Sequence, residues 1–259
     1  MGVLNITPDS FHAGSRAENV EVAVSKALNM AAEGADWIDI GGESTRPGAT
    51  EVNLDDEERR VIPVIEAVRE VLPEIGISID TRREYVARLA IESGADMVND
   101  VSSLSDPNMA DLIVENDCPV CLMHMRGLPD NMQKDPKYGD VLREVKNHLQ
   151  IASMKLIDRG LNPSNIVVDP GIGFGKLLEH NLSLLSSGRS LMPMEGMNLM
   201  WGVSRKSMFH HMLGREASED RLAGTLGVAA MAKGKGVDII RVHDVAEHND
   251  LFSVMGGVR

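Results

Sequence analysis

The sequence predicts an α/β protein, a single-domain (β/α)8 TIM barrel over residues 1–259, and three observations carry that prediction. First, three segments share one pattern: EGADWIDIGG at 33–42, SGADMVNDVS at 93–102 and KGVDIIRVHD at 235–244. In each, a glycine follows a helical pattern, and a short apolar run then ends in Asp, Asn, Arg or His; that is a helix stop followed by a buried parallel strand. Second, five further apolar runs without the glycine bring the total to eight. Third, eight strands alternating with helices in a chain of this length fit a closed barrel better than an open doubly wound sheet.

The elements follow in order. GVLN (2–5) is the first strand, and the polar loop NITPDSFHAGSR follows it. The second ends at Asp39 and enters GGESTRPGATEV, rich in glycine and hydroxyls, which suits a mobile cover over a site. DDEERR (55–60) reads as a solvated first helical turn. IGISID (75–80) is the third strand, and in YVARLAIESG the residues Val86, Leu89 and Ala90 recur at the spacing of one helix face. The fourth strand ends at Asn99 and Asp100. PVCLMH (119–124) is the fifth; Cys118 and Cys121 at its start read as reduced thiols, because a redox C-x-x-C follows a strand and opens a helix, and a zinc site lacks ligands beyond His124.

NIVVDP (165–170) is the sixth strand. The following GIGFGK (171–176) fits neither G-x-G-x-x-G nor G-x-x-x-x-G-K-[ST], so no nucleotide loop is expected there. NLMWGV (198–203), the seventh, runs directly into Ser204, Arg205, Lys206 and Ser207. The eighth ends at Arg241, His243 and Asp244. His210 and His211 lie in a helical pattern and read as ordinary surface or packing residues.

Composition narrows the function classes. Hydrophobic residues at 43% supply a core, and aromatics at only 3% make it aliphatic. The net charge of −13, from 39 acidic against 26 basic residues, argues against nucleic acid or an anionic membrane as main partner. MGVLNITPDS has no basic flank before an apolar stretch, and no run approaches the ~20 apolar residues of a membrane span, so a cytoplasmic protein is expected.

In a barrel of this kind the active site lies where strands run out into their following loops. The residues there are Asn5, Asp39, Asp80, Thr81, Asn99, Asp100, His124, Asp169, Ser204 to Ser207, Arg241, His243 and Asp244. Acceptors (Asp80, Asp169, the Asn99 amide) are mixed with donors and cations (Arg46, Lys206, Arg241, His243). That mixture suits a flat heterocycle rich in hydrogen-bonding groups beside an anionic group. His124, between two methionines, reads as a strand-end histidine without a catalytic part, and Arg205 is expected to pair with a neighbouring loop.

With these residues in place, the sequence resembles the dihydropteroate synthases. MGVLNITPDSF, DIGGESTRPGA, SIDT, NDVS, LMHMRGLPDNMQ, DPGIGFGK, GVSRKS and RVHDV match that family's motifs in order along the whole chain. The resemblance implies condensation of 6-hydroxymethyl-7,8-dihydropterin diphosphate with 4-aminobenzoate, by a homodimer that uses Mg²⁺ and is a sulfonamide target. It implies Asp80, Asn99, Asp169 and Lys206 around the pterin. Asn5, Thr45, Arg46, Arg241 and His243 would take the diphosphate, with Asn5 reaching its magnesium. Pro47, Phe174, Lys206 and Ser207 would bind the aminobenzoate. The catalytic set is then Lys206, Asp80, Asp169, Arg241 and His243.

Three departures stand out. The family commonly has SFSDGG where this chain has SFHAGS, so Ala13 replaces an acidic loop residue, and Leu177 stands where FGKT has threonine. The chain also starts inside the first strand, so residues covering the barrel floor are expected to be missing. Two rivals are a pterin-binding methyltransferase domain, which shares the barrel but needs no diphosphate cradle, and a catalytically weak pterin-binding relative, which only Ala13 favours.

Overall fold

The structure, a computed structural model, describes residues 1–6, 16–44, 52–127, 132–133 and 136–257. Eight strands form: β1 (Gly2–Asn5), β2 (Trp37–Gly41), β3 (Gly76–Asp80), β4 (Met97–Asp100), β5 (Val120–Met123), β6 (Ile166–Asp169), β7 (Asn198–Trp201) and β8 (Ile239–Ile240). The helices among the described residues are α1 (Arg16–Ala32), α2 (Leu54–Val71), α3 (Glu84–Glu92), α4 (Met109–Glu115), α5 (Val141–Ile157), α6 (Leu178–Ser187), α7 (Met208–Leu213), α8 (Leu222–Ala232) and α9 (Val245–Gly257).

The strands are parallel and lie side by side in chain order from β1 to β8. The ring closes just past β8, where the Val3 N–H donates to the Val242 carbonyl at 2.9 Å and the Val242 N–H to the Met1 carbonyl at 2.9 Å. All eight predicted strands are present, and the (β/α)8 barrel is the fold. Among the described residues no helix is long and apolar enough to cross a membrane.

Successive side chains on a strand point to opposite faces, and this alternation sorts the barrel into two regions. Ile38, Ile40, Ile77, Ile79, Val98, Val120, Leu122, Ile166, Val168 and Leu199 face outward into the main core under the helices. Met97, Cys121, Val167 and Met200 face inward and form a small apolar plug. One step further along the same inner face stand Asn99 after Met97 and Asp169 after Val167; β3 sets Asp80 beside Asn99, and β2 adds Asp39 one step lower in register, beside Ser78. The plug is the floor of the site.

The repeated glycines turn out to be helix stops, with Gly34, Gly94 and Gly236 at φ +96, +107 and +69°. Two residues on, the aspartate of the repeat anchors the foot of the preceding strand. Asp96 Oδ2 accepts the Ile77 N–H at 2.8 Å and pairs with Arg69. Asp238 Oδ2 accepts the Leu199 N–H at 2.8 Å and pairs with Arg189 at 2.7 Å.

Cys118 and Cys121 are free and buried, as expected of reduced thiols around a strand start. Burial pushes the Cys118 thiol up to about 12 and Cys121 well above its ordinary value, so neither is a ready thiolate. The DDEERR reading needs correction. It opens α2, capped by Asn53, whose Oδ1 accepts the Asp56 N–H at 2.8 Å, but Glu57 is only 1% exposed. Its carboxylate accepts the Thr81 hydroxyl at 2.7 Å and pairs with Arg83, two partners from beyond β3 that the local charge pattern does not announce.

Replacing Asp96 with Ala leaves the Ile77 N–H without its acceptor and is expected to lower unfolding free energy by about 1–3 kcal/mol. Urea denaturation measures it; an unchanged midpoint would show that this anchor contributes nothing.

Candidate active site

The inner face above the plug carries a web of charges. Arg241, just past β8, donates through Nε to Asp39 Oδ2 at 2.6 Å and through an Nη to Asp80 Oδ2 at 2.7 Å, so one guanidinium spans the barrel to two strands. The Asn99 amide also donates to Asp39 Oδ2, at 3.1 Å. Asp39 is fully buried, and its Oδ1 has no hydrogen-bond partner among the described residues. Across the mouth, Asp169 Oδ1 accepts the Gly171 N–H at 2.7 Å.

Lys206 reaches this ring through a strained turn. Arg205, at φ +56°, is in the left-handed region that non-glycine residues rarely adopt. Three contacts hold it there: its N–H donates to the Thr225 hydroxyl at 3.0 Å, its carbonyl accepts from Arg221 at 3.0 Å, and its Nε donates to Asp244 Oδ2 at 2.9 Å. Arg205 therefore pairs with a neighbouring loop, as expected from sequence. The Lys206 ammonium then lies 4.3 Å from the Phe174 ring centre and donates to the Ile172 carbonyl. Gly202 lies beside this pair, where a Cβ would make ordinary contact with Asp169 Oδ2 at 3.4 Å and Lys206 Nζ at 3.9 Å.

Asp80, Asn99, Asp169, Lys206, Arg241 and Phe174 are thus brought to one mouth. Asn5 ends β1 half-buried on the same rim. His243 is held by Ser204, whose hydroxyl lies 2.9 Å from its Nδ1. Ser207 is exposed at the start of α7 and makes no capping bond. Thr45, Arg46, Pro47 and Ala13 lie outside the described residues.

Sequence reasoning gave no role to Asp39 or Lys176. The first was visible as a strand-end carboxylate. The second is buried in a motif set aside as a failed nucleotide loop. At Leu177, where threonine was expected, no side chain among the described residues caps the first-turn N–H groups of α6; His180 Nδ1 accepts only the Leu177 backbone N–H, at 3.1 Å.

Burial dominates the titration of the site. Asp80 is raised to about 7: desolvation is the largest cause, Arg241 opposes it, and Asp39, Glu57 and Asp100 add repulsion. Asp169 is raised by desolvation against the pull of Lys206 and the Gly171 N–H. Lys206 is lowered to about 8 by desolvation, which Asp169 only partly offsets. For Arg241, burial alone would lower the value, but Asp39 and Asp80 together outweigh it and hold the guanidinium above its usual range.

A model of the pterin binding enzyme family matches residues 1–243. The chain belongs to that family. It is 45% identical over 257 residues to the dihydropteroate synthase of Escherichia coli K12, covering 98% of this chain and 89% of that one. Among solved structures, the Yersinia pestis dihydropteroate synthase with a sulfonamide drug complex superposes with a TM-score of 0.92 at 39% identity, covering 100% of this chain and 93% of that one. The Xanthomonas albilineans dihydropteroate synthase with 4-aminobenzoic acid gives 0.92 at 41% identity, covering 100% and 92%. For a pterin-binding enzyme, a mouth with more buried acceptors than fixed donors has a clear use: the N–H groups of a fused ring can supply what Asp39, Asp80 and Asp169 lack.

Desolvation of Lys206 has a stability consequence with a definite sign. Its folded value of about 8 lies below its ordinary 10.5, so the charge costs stability at pH below about 8, and the cost fades as pH rises toward 10.5. Lys206→Met is therefore expected to melt higher than the parent at pH 7, with the difference shrinking toward pH 10.5. Thermal melts across that range check it; a lower melting temperature at pH 7 would contradict the assignment.

Proposed function

We propose that the chain is a dihydropteroate synthase, joining 6-hydroxymethyl-7,8-dihydropterin diphosphate to 4-aminobenzoate with release of diphosphate. The observation that carries this is the meeting of Asp80, Asn99 and Asp169 on one inner face with Lys206 laid across Phe174. Carboxylates and an amide at that depth accept from the N–H edge of the pterin, while Lys206 donates to its ring oxygen or nitrogen. Arg241 and His243, on the β8 side of the rim, take the diphosphate in this reading, with Asn5; Thr45 and Arg46 are assigned to it from the sequence motif alone. Phe174, Pro47, Lys206 and Ser207 hold the aminobenzoate beside it.

In this reading the bond between the pterin methylene and the diphosphate oxygen breaks first, and the electron pair leaves with the diphosphate. Arg241 and His243 neutralise the charge that develops there. Buried Asp80 and Asp169 stabilise the electron-poor ring and its cationic methylene. The aniline nitrogen then forms the new C–N bond and gives up one proton to the departing diphosphate or solvent. No covalent enzyme intermediate is needed.

Magnesium fits as part of the diphosphate substrate. Among the described residues no cluster of His, Cys, Asp and Glu could hold a metal by protein ligands alone, and magnesium characteristically keeps waters and substrate phosphates around one or two protein oxygens. Asn5 would supply one such oxygen. The ion would neutralise charge on the leaving group. The same reading makes the assembly a cytoplasmic homodimer, which light scattering of the purified protein tests.

The decisive assay mixes protein, pterin diphosphate, Mg²⁺ and 4-aminobenzoate and looks for dihydropteroate with one diphosphate released per product. Lys206→Ala is expected to lower kcat/KM by about a hundredfold or more while circular dichroism stays unchanged. Absence of product from folded wild-type protein that still binds a pterin would overturn the synthase reading; parental turnover by Lys206→Ala would remove Lys206 from the mechanism.

A further inference from the structure

Lys176 is a buried amine for which the proposed reaction has no use; desolvation pushes it well below its ordinary value, and Asp169 only partly offsets this. Lys176 is 4% exposed, yet its amino nitrogen lies within hydrogen-bond distance of three carbonyls, those of Gly171 at 2.9 Å, Phe174 at 3.0 Å and His124 at 3.1 Å, and of His124 Nδ1 at 3.0 Å. Its N–H groups can be taken by the three carbonyls, and the direction of the contact with Nδ1 follows the His124 tautomer. Desolvation, then Lys176 and His148, push His124 down to about 2, which keeps the ring neutral and able to accept.

The segment that Lys176 encloses is unusually constrained. Gly171, Gly173 and Gly175 all have positive φ, at +68, +84 and +58°, and a Cβ on Gly171 would collide with the His124 carbonyl oxygen. Every carbonyl from Gly171 to Gly175 accepts a side-chain donor. Lys176 takes those of Gly171 and Phe174, Lys206 that of Ile172, Gln133 that of Gly173 at 2.6 Å, and Tyr138 that of Gly175 at 2.8 Å. Lys176 is the donor that ties this loop both to itself and to the end of β5. The one aromatic ring the loop displays is Phe174, against Lys206.

We propose that Lys176 is a positioning residue: its caged amino group, bound to His124 and to the Gly171 and Phe174 carbonyls, fixes the Phe174 ring as one wall of the 4-aminobenzoate subsite. This rests on the synthase reading. It weighs on the two substrates unequally, because Asp80 and Asn99 hold the pterin from strands the loop does not touch, while the loop meets the pterin set only through the Gly171 N–H on Asp169 and the Ile172 carbonyl and Phe174 ring at Lys206. A polar group enclosed at this cost thereby acquires a task that the loop backbone alone does not perform.

The test is a double-mutant cycle on Lys176→Met and Phe174→Ala in the full-length enzyme, with Lys176→Gln replacing Lys176→Met should the latter fail to fold. Lys176→Met is expected to raise KM for 4-aminobenzoate about tenfold to a hundredfold, as small misplacements do, while pterin affinity by calorimetry stays within about twofold. Acting through Phe174, it adds little to Phe174→Ala in the double variant. An unchanged aminobenzoate KM, an equal loss of pterin affinity, or independent additive losses would each overturn the assignment. A wild-type protein that makes no dihydropteroate sinks the synthase reading instead, and is recognised by that absence before any variant is compared.

Discussion

A single guanidinium placed between two buried carboxylates governs the rest of this structure. Arg241 donates to Asp39 and Asp80 from the opposite side of the ring closure and so ties β2 and β3 to the segment beyond β8. One positive charge cannot satisfy two carboxylates removed from water, and desolvation raises Asp80 against the attraction of Arg241. The mouth is left short of donors. Asp39 Oδ1, buried without a partner among the described residues, is the clearest sign of that shortage. A ligand rich in ring N–H groups would relieve it, which is the chemistry the proposed pterin substrate brings.

The scaffold makes such a cluster tolerable by keeping it away from the packing core. Alternation along each strand sends the branched aliphatic residues outward under the helices, and only the Met97, Cys121, Val167 and Met200 plug lies beneath the charges. Strain is concentrated at the rim, where Arg205 takes a left-handed turn and is fastened by Thr225, Arg221 and Asp244. That turn lets an apolar strand deliver Lys206 inward, which explains why cations and hydroxyls follow NLMWGV so abruptly. On the neighbouring strand the GIGFGK loop solves the companion problem with backbone carbonyls and a captive lysine.

Much of this was legible in the sequence, and the exceptions share a cause. Buried strands announce themselves by apolar runs and the glycine before them, and their polar last residues announce the mouth; Asp80, Asn99 and Asp169 follow from those two rules. Asp39 obeyed the same rules and stood among the mouth residues, but its pairing with Arg241 joins segments 202 residues apart and no local pattern marks it. Lys176 was hidden because its cage is built of carbonyls, which every residue possesses and no sequence pattern marks. Glu57 was misplaced in solvent because its partners, Thr81 and Arg83, come from a different element. Local charge patterns describe a helix face only until a distant segment packs on it.

The central claim, that the mouth is short of positive charge, is tested most directly by a carboxyl ¹³C NMR titration of Asp80 in the ligand-free protein. The account predicts a midpoint near the raised value of about 7, and a fall toward the ordinary 3.8 when Asp39→Asn removes one of the two carboxylates competing for Arg241. A midpoint already near 3.8 in the parent, indifferent to the Asp39 substitution, would show that Arg241 satisfies both acids and that no such shortage exists.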